Sequence, residues 1–184
     1  MRMTAIAGSW REEYTQKQMR GGEIMHKIRM ETPVGGLWIV ADDQAILHVT
    51  FEDPVFAGHA PQEHTPVLDR CVAQLEEYFQ GTRTQFDVPL AIHGTPFQKK
   101  VYKQLLTIPY GKRRSYKDIA VAIDNPKGVR AVGGANNKNP ISILVPCHRV
   151  VGIDGSLVGY GGGLDIKKWL LDHEQAHLRD HLDE

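Results

Sequence analysis

A chain of 184 residues with 41% hydrophobic and 24% charged side chains is long enough for one sizeable domain or two small ones sharing a core, and its composition is that of a soluble globular protein. No apolar run approaches the ~20 residues of a membrane span, and the amino terminus lacks the apolar core of an export signal, so Cys71 and Cys147 are expected as free thiols in a cytoplasmic protein. The net charge is zero, yet Val88 to Ile153 holds eleven basic residues against two acidic ones, a net of +9 that the remainder balances with −9; this marks either a polyanion-binding surface or a set of solvated charges.

Residues 1–23 show no sustained period and end near Gly21-Gly22; they read as a leader outside the core, with Met25 as an alternative start. Leu37 to Ala41, an Asp42-Asp43 turn, and the run Ala45, Leu47, Val49, Phe51 alternating with Ile46, His48 and Thr50 predict a small antiparallel sheet. A helix follows, capped by Thr65 with Pro66 in its first turn. It carries Leu68, Cys71, Val72, Leu75 and Phe79 at helical spacing and stops at Gly81. That spacing puts Cys71 on a core face as an inert small hydrophobe.

After the 86–92 connection the chain becomes rich in helix starts. Thr95-Pro96-Phe97-Gln98 is a capping box, followed by Phe97, Val101, Leu105 and Ile108 on one face. Pro109-Tyr110-Gly111 ends that helix. Ser115 caps a short one with Tyr116, Ile119, Ala120 and Ile123 inward, and Pro126 opens another through Arg130 to about Asn137. Two short helices joined by a tight turn form a candidate helix-turn-helix. The second has Val129, Val132 and Ala135 on its apolar face and little bulk at Gly133-Gly134. Two glycines weaken a helix by ~1 kcal/mol each, and either close approach to a nucleic-acid backbone or packing on a neighbouring strand accounts for them.

Ile141 to Val145 reads as a buried strand stopped by Pro146, with Cys147-His148-Arg149 directly after it. Positive neighbours favour a thiolate, so a low-pKa nucleophile could be built here, although a Cys-His pair alone also suits a simple core cysteine. In the last helix Ile166, Trp169, Leu170 and His173 share a face, and Glu174 falls on the same side. Either Glu174 orients a base in a Cys-His-Glu constellation, or it sits in water at a frayed end. His173, His177 and His181 recur every four residues, the spacing of a metal-binding helix or of a polar tail.

The stretch Pro146-Cys147-His148-Arg149-Val150, with Asn139-Pro140 before it and Gly159-Tyr160 and Gly163-Leu164 after it, resembles the O6-alkylguanine-DNA alkyltransferases, the methylated-DNA–protein-cysteine methyltransferases. The likeness runs from about Thr95 to Glu174. It takes in Ser115-Tyr116, Asn125-Pro126, the run from Arg130 to Ala135, and Lys168-Trp169-Leu170-Leu171. It implies an α/β (α+β) fold with a ribonuclease-H-like antiparallel sheet domain over 24–92. A helix-turn-helix, winged-helix-like alkyltransferase domain over 93–178 and a tail over 179–184 would follow.

The resemblance further implies that Cys147 accepts the alkyl group, that His148 acts as base through a water, that Glu174 orients it, and that Asn139 braces the turn presenting the cysteine. Tyr116, Val150, Tyr160 and Gly161 would bind the substrate. Arg130 would fill the space left by an extruded base, with Lys127, Ala131, Gly133, Gly134 and Arg114 along the DNA. The implied function is direct damage reversal, a single-turnover transfer of a methyl or larger alkyl group from O6-alkylguanine, or O4-alkylthymine, after base flipping. The partner would be double-stranded DNA carrying the lesion, met by a monomer without cofactor, metal, membrane or obligate protein partner, on the nucleoid if the source is bacterial. Two departures stand out. Gly161 occupies a position where relatives carry a larger or hydroxyl-bearing residue, and Ser142 replaces a proline of some members. With only Cys71 in the amino-terminal half, the structural zinc of some members is not expected.

Three other functions fit parts of this pattern: a lesion-binding protein without transfer, a helix-turn-helix regulator, and a thiol hydrolase. Relatives of the first kind lack the acceptor cysteine, the second needs a sensor or dimerisation segment, and the third would turn over.

Overall fold

The computed structural model describes residues 24–54, 57, 58 and 60–178; the expected leader, the expected tail and His181 lie outside these residues. The amino-terminal half is a three-stranded antiparallel sheet in the order β1 (His26–Thr32), β2 (Gly35–Ala41) and β3 (Ile46–Thr50), with helix α1 (Pro66–Phe79) packed on it. Strand β1 is an addition to the strands read from sequence. Its alternation was hidden because Lys27 is nearly buried, its ammonium lying 5.3 Å from the centre of the Trp38 ring. Strand β3 does not alternate strictly either. A bulge opposite Ala41 puts Ile46 and Val49 together in the main core while Leu47 joins Met25, Val40 and Ala57 on the other face.

Helix α1 begins as its sequence dictates: Thr65 accepts from the Leu68 amide at 3.3 Å. It ends in a Schellman turn, with Thr82 N–H on Glu77 O (2.9 Å), Gly81 N–H on Tyr78 O (3.0 Å), and Gly81 at φ 78°. Cys71 is fully buried, and burial pushes its thiol up to about 12.

The second half runs α2 (Pro96–Leu105), β4 (Arg114–Ser115), α3 (Tyr116–Ala122), α4 (Val129–Asn137), a 3₁₀ turn (Cys147–Arg149), β5 (Val150–Val151) and α5 (Leu164–His177). The capping box of α2 is present, Gln98 N–H to Thr95 Oγ1 at 3.2 Å and Thr95 N–H to Gln98 Oε1 at 2.8 Å. Ser115 and Asp118 form the same reciprocal pair at the start of α3. Helix α2 ends at Leu105, short of the expected Ile108, which is buried beyond it.

Helix α4 starts three residues after the expected Pro126. The turn before it is closed by Gly128 N–H on Asn125 O at 2.8 Å, with Asp124 at φ 59°, and a Cβ on Gly128 would strike the Asn125 side chain. It has no side-chain cap, so packing of Val132, Ala135 and Asn136 on α2 and α3 holds it in place.

The segment Ile141–Val145, expected as a strand, is a tight turn. Val145 N–H returns to Ile141 O (3.0 Å), Leu144 N–H bonds Ser142 O (2.9 Å), and Ile143 sits at φ 72°. A β-branched residue in the left-handed region is strained by ~1–3 kcal/mol. Burial of Ile141, Ile143, Leu144 and Val145 in one core holds it there. That core is continuous from the sheet through α1, α2, α3 and α4 to Cys147 and Leu170.

Candidate active site

The reactive turn is built by Asn139. Its carboxamide oxygen accepts from Ile141 N–H (3.1 Å), and its amide nitrogen faces Val145 O (2.8 Å), Ile141 O (3.3 Å) and Cys147 Sγ (3.0 Å). One side chain therefore closes the turn and touches the sulfur. Pro146 follows in an inverse γ-turn (φ −80°, ψ 62°), with Cys147 N–H on Val145 O at 2.8 Å, which leads into the 3₁₀ turn. Asn136 of α4 adds a bond to Cys147 O at 3.2 Å. Cys147 is 3% exposed.

The thiol is not the low-pKa group expected from its neighbours. Burial pushes it up to about 11, against the pull of the Asn139 amide and the Lys167 charge. The reason is that Arg149 faces away from the sulfur. Its Nε bonds both Glu174 oxygens (3.2 and 3.0 Å), its Nη2 bonds Oε1 (3.0 Å), and its Nη1 bonds the Ile108 carbonyl (2.6 Å). Ionising such a thiol at pH 7 costs about 5 kcal/mol at 1.36 kcal/mol per unit, so a base is required.

His148 and Glu174 are brought together as expected, and both are fully buried; Glu174 is no frayed end in water. Glu174 collects Tyr78 Oη–H (2.9 Å), Gly111 N–H (2.9 Å), His148 Nε2 (2.7 Å) and the Arg149 guanidinium. Burial alone would raise its pKa, but His148 and Arg149 overcome that and hold the carboxyl well below the usual range. An ionised carboxylate only accepts, so His148 Nε2 carries the proton and Nδ1 keeps its lone pair. Burial lowers the His148 pKa by more than Glu174 raises it, and the imidazole is neutral near pH 7. Nδ1 is buried and bonds no protein atom.

The buried face of the last helix is wider than expected. Leu170, His173 and Glu174 are buried as expected, with Ile166 and Trp169 half-buried, and the buried face also takes in Lys167 and Leu171. Lys167, overlooked in the sequence, is fully buried. Its ammonium donates to Val158 O (2.9 Å), Gly159 O (3.4 Å) and the Tyr116 hydroxyl (3.3 Å). Burial lowers it to about 8, while the Cys147 charge pulls the other way. The spacing 167, 170, 171, 174 carried the signal: a lysine and a glutamate on one apolar stripe.

Tyr116, half-buried, donates its hydroxyl to Val158 O at 2.6 Å and is tied to the reactive turn through the parallel pairing of Arg114 and Ser115 with Val150 and Val151. Val150 and Tyr160 are buried; Gly161 is exposed, and a Cβ there would meet only Asn137 O at 3.6 Å, so a larger residue fits. Arg114, Lys127, Arg130, Ala131 and Gly134 are exposed. A Cβ on Gly134 would meet nothing within 4 Å and one on Gly133 would lie 3.9 Å from the Tyr116 ring, so packing on a neighbouring strand does not explain this glycine pair.

His173 bonds Tyr78 O through Nε2 (2.7 Å) and stacks on Trp169, and His177 Nδ1 lies 2.9 Å from His173 O. Among the described residues no group of three His, Cys, Asp or Glu side chains could hold a metal ion, and no helix is long and apolar enough to cross a membrane.

Comparison with known proteins places this arrangement. Residues 25–92 match the family model "6-O-methylguanine DNA methyltransferase, ribonuclease-like domain", and residues 96–176 match "6-O-methylguanine DNA methyltransferase, DNA binding domain". The methylated-DNA–protein-cysteine methyltransferase of Methanosarcina barkeri is 45% identical over 153 residues, covering 82% of this chain and 97% of that protein. The constitutive enzyme of that name from Bacillus subtilis is 46% identical over 157 residues, covering 82% and 95%. The Mycobacterium tuberculosis OGT crystal structure in complex with DNA superposes with a TM-score of 0.78 at 42% identity, covering 83% of this chain and 94% of that one. The chain belongs to the 6-O-methylguanine DNA methyltransferase family.

Proposed function

We propose that this member of the family repairs DNA by moving the alkyl group of an O6-alkylguanine onto its own Cys147, once per molecule. The observation that carries the reading is the buried sulfur in contact with Asn139, followed in the chain by a neutral histidine whose second nitrogen is fixed by an ionised Glu174. Nothing in that network needs a bound cofactor to make a nucleophile.

The steps follow from the geometry. An O6 lesion inside a duplex cannot reach a thiol that is 3% exposed, so the nucleotide is extruded, at a cost of about a few kcal/mol. Arg130, exposed on α4, fills the vacated space, and the bare backbone at Gly133 and Gly134 lets the helix approach the duplex. Lys127, Ala131 and Arg114 flank that surface. Tyr116, Val150, Tyr160 and Gly161 line the base pocket.

His148 Nδ1 then takes the thiol proton through a water, and the Asn139 amide and Lys167 ammonium stabilise the thiolate. The sulfur attacks the alkyl carbon, the C–S bond forms, the C–O6 bond breaks, and its electron pair returns to the purine. The proton held by His148 goes back to the guanine through solvent. The thioether leaves Cys147 without its acidic proton, and a thiol does not displace the alkyl group of a thioether, so the buried Cys71 on α1 does not regenerate it. Guanine is the main substrate and O4-alkylthymine the minor one. The protein acts as a monomer on double-stranded DNA, in the cytoplasm or on the nucleoid.

Incubation with excess O6-methylguanine duplex tests this. Intact mass should rise by one methyl group per protein, mapped to the Cys147 peptide. Cys147→Ala should gain nothing, and Cys71→Ala should match the parent. Methyl on Cys71, or continued turnover, overturns the assignment.

A further inference from the structure

The amino-terminal half reaches the substrate pocket at two points two residues apart, Val49 and Phe51. At the first, the free edge of β3 pairs with the turn that presents Cys147: Val49 N–H bonds Pro140 O (2.9 Å), and Ser142 N–H bonds Val49 O (2.9 Å). At the second, Phe51 lies edge-on to the Tyr160 ring, centroids 6.3 Å apart at 60°.

Tyr160 stands in a segment that restrains itself poorly. Gly159, Gly161, Gly162 and Gly163 surround it, and Gly159 and Gly163 have φ of 53° and 95°. The residue is nevertheless buried. Burial first, and then the Cys147 charge, push its hydroxyl pKa well above the ordinary tyrosine range. On the other side there is no slack, because a Cβ built on Gly162 would come within 2.7 Å of Phe51 Cδ2 and 3.0 Å of Tyr160 Cε1. The ring packs between Phe51, one residue past the end of β3, and the glycine-rich loop at Gly162, while Val49 of β3 bonds the Ser142 turn.

We infer that Phe51 is a positioning residue that sets how large an alkyl group the protein accepts, by fixing the Tyr160 ring as the far wall of the pocket beside Cys147. This rests on Cys147 being the acceptor and Tyr160 a pocket wall. The amino-terminal half is thereby part of the specificity apparatus, with β3 bonding the nucleophile's turn and Phe51, directly after it, bracing the wall. A single aromatic edge contact is enough to keep a wall in place and small enough for its loss to leave the fold intact.

The test compares single-turnover transfer from O6-methylguanine and O6-benzylguanine in the same duplex. Phe51→Ala should let the Tyr160 ring lean into the freed space, raising the benzyl-to-methyl rate ratio at least fivefold. Phe51→Tyr, which keeps the ring, should restore the parent ratio. Gly162→Ala should press Phe51 and Tyr160 towards the pocket and lower the ratio. In the Phe51→Ala background the same Gly162→Ala change should have little effect, because its two tightest contacts are gone and the Tyr160 ring can yield into the space that Phe51 leaves. Equal loss on both substrates in Phe51→Ala, or additive effects of the two substitutions, overturns the inference and leaves Phe51 as core packing. Peptide mapping of the parent keeps the two readings separate: alkyl on Cys147 with an unchanged ratio sinks this inference alone, whereas alkyl elsewhere sinks the acceptor assignment beneath it.

Discussion

Glu174→Gln removes one charge and almost no volume from the most heavily bonded side chain in the site. In the parent, Glu174 compensates a buried guanidinium and also accepts from Tyr78, Gly111 and His148. The amide keeps one acceptor oxygen and turns a pair of donors towards the Arg149 and His148 nitrogens, so Arg149 is left buried without a counter-charge. Breaking such a pair costs about 3–5 kcal/mol. At roughly 2–4 °C per kcal/mol for a chain of this size, Tm should fall by about 6–20 °C.

The pH dependence has a definite sign. The Glu174 pKa is depressed by folding, so its contribution to stability is fully present above the unfolded value of about 4.3 and is lost as pH falls through the folded one. The His148 pKa is lowered too, so the unfolded chain gains a proton first and stability already declines below about pH 6.5. Urea unfolding followed by circular dichroism from pH 4 to 8 measures both. The parent should lose stability steadily towards acid, and Glu174→Gln should start lower and lose less between pH 5 and 4. A variant within about 1 kcal/mol of the parent at pH 7.5 would show that solvent, and not this carboxylate, compensates Arg149.

Three further outcomes are expected. Affinity for duplex DNA should fall at least tenfold between about 50 and 200 mM salt as phosphate contacts release counterions; a flat profile would mean that the basic stretch from Val88 to Ile153 is not the DNA surface. Arg130→Ala should slow duplex repair about tenfold or more, while transfer from the free alkylated base, which needs no extrusion, hardly changes, and the deficit should shrink opposite a mismatch; equal loss on base and duplex would place the fault in the pocket. In Lys167→Met the thiolate loses its buried cation, and single-turnover rates should drop about 10–100-fold, or about 1.4–2.7 kcal/mol. The parent's rate should bend downward as the ammonium deprotonates above pH 8, and a bend that survives in the variant would refute the role of Lys167.

What could be read from the sequence was what local chemistry writes down. Thr65, Thr95 and Ser115 cap the three helices they were expected to cap, because a cap is a contact between residues three apart. Glu174 could be placed beside the Cys147-His148 pair only through the family resemblance, and the structure does bring it onto His148. The errors lie where distant residues decide. Ile141 to Val145 has the composition of a buried strand, and only the Asn139 side chain and the β3 edge fold it into a turn with Ile143 at positive φ. Lys167 resembles any surface lysine until the carbonyls of Val158 and Gly159, brought over by a glycine-rich loop, surround it. Arg149 looked like the cation that would ionise its neighbour, but its bonds go to Glu174 and Ile108 on the opposite side.

That last reversal bears on why the site works once and well. A thiol with its pKa pushed up to about 11 is almost entirely protonated at rest, and at 3% exposure it is a poor target for oxidants and stray electrophiles. The groups that could ionise it are already in place: a neutral imidazole with a fixed lone pair, an amide on the sulfur, and one buried ammonium. A protein consumed by a single reaction loses its whole function if its cysteine is spent elsewhere. Keeping the sulfur protonated until a base fills the pocket and excludes water protects that one reaction. Filling the pocket also strengthens the Lys167–thiolate attraction, because the charges then face each other across a drier medium. Reactivity would then come from binding the substrate and not from the resting acidity of the thiol. The thiol should therefore titrate near its resting value in free protein, and the pH profile of transfer should fall well below it in the presence of DNA. Coincidence of the two profiles, measured by thiolate absorbance and by single-turnover transfer, would contradict the argument.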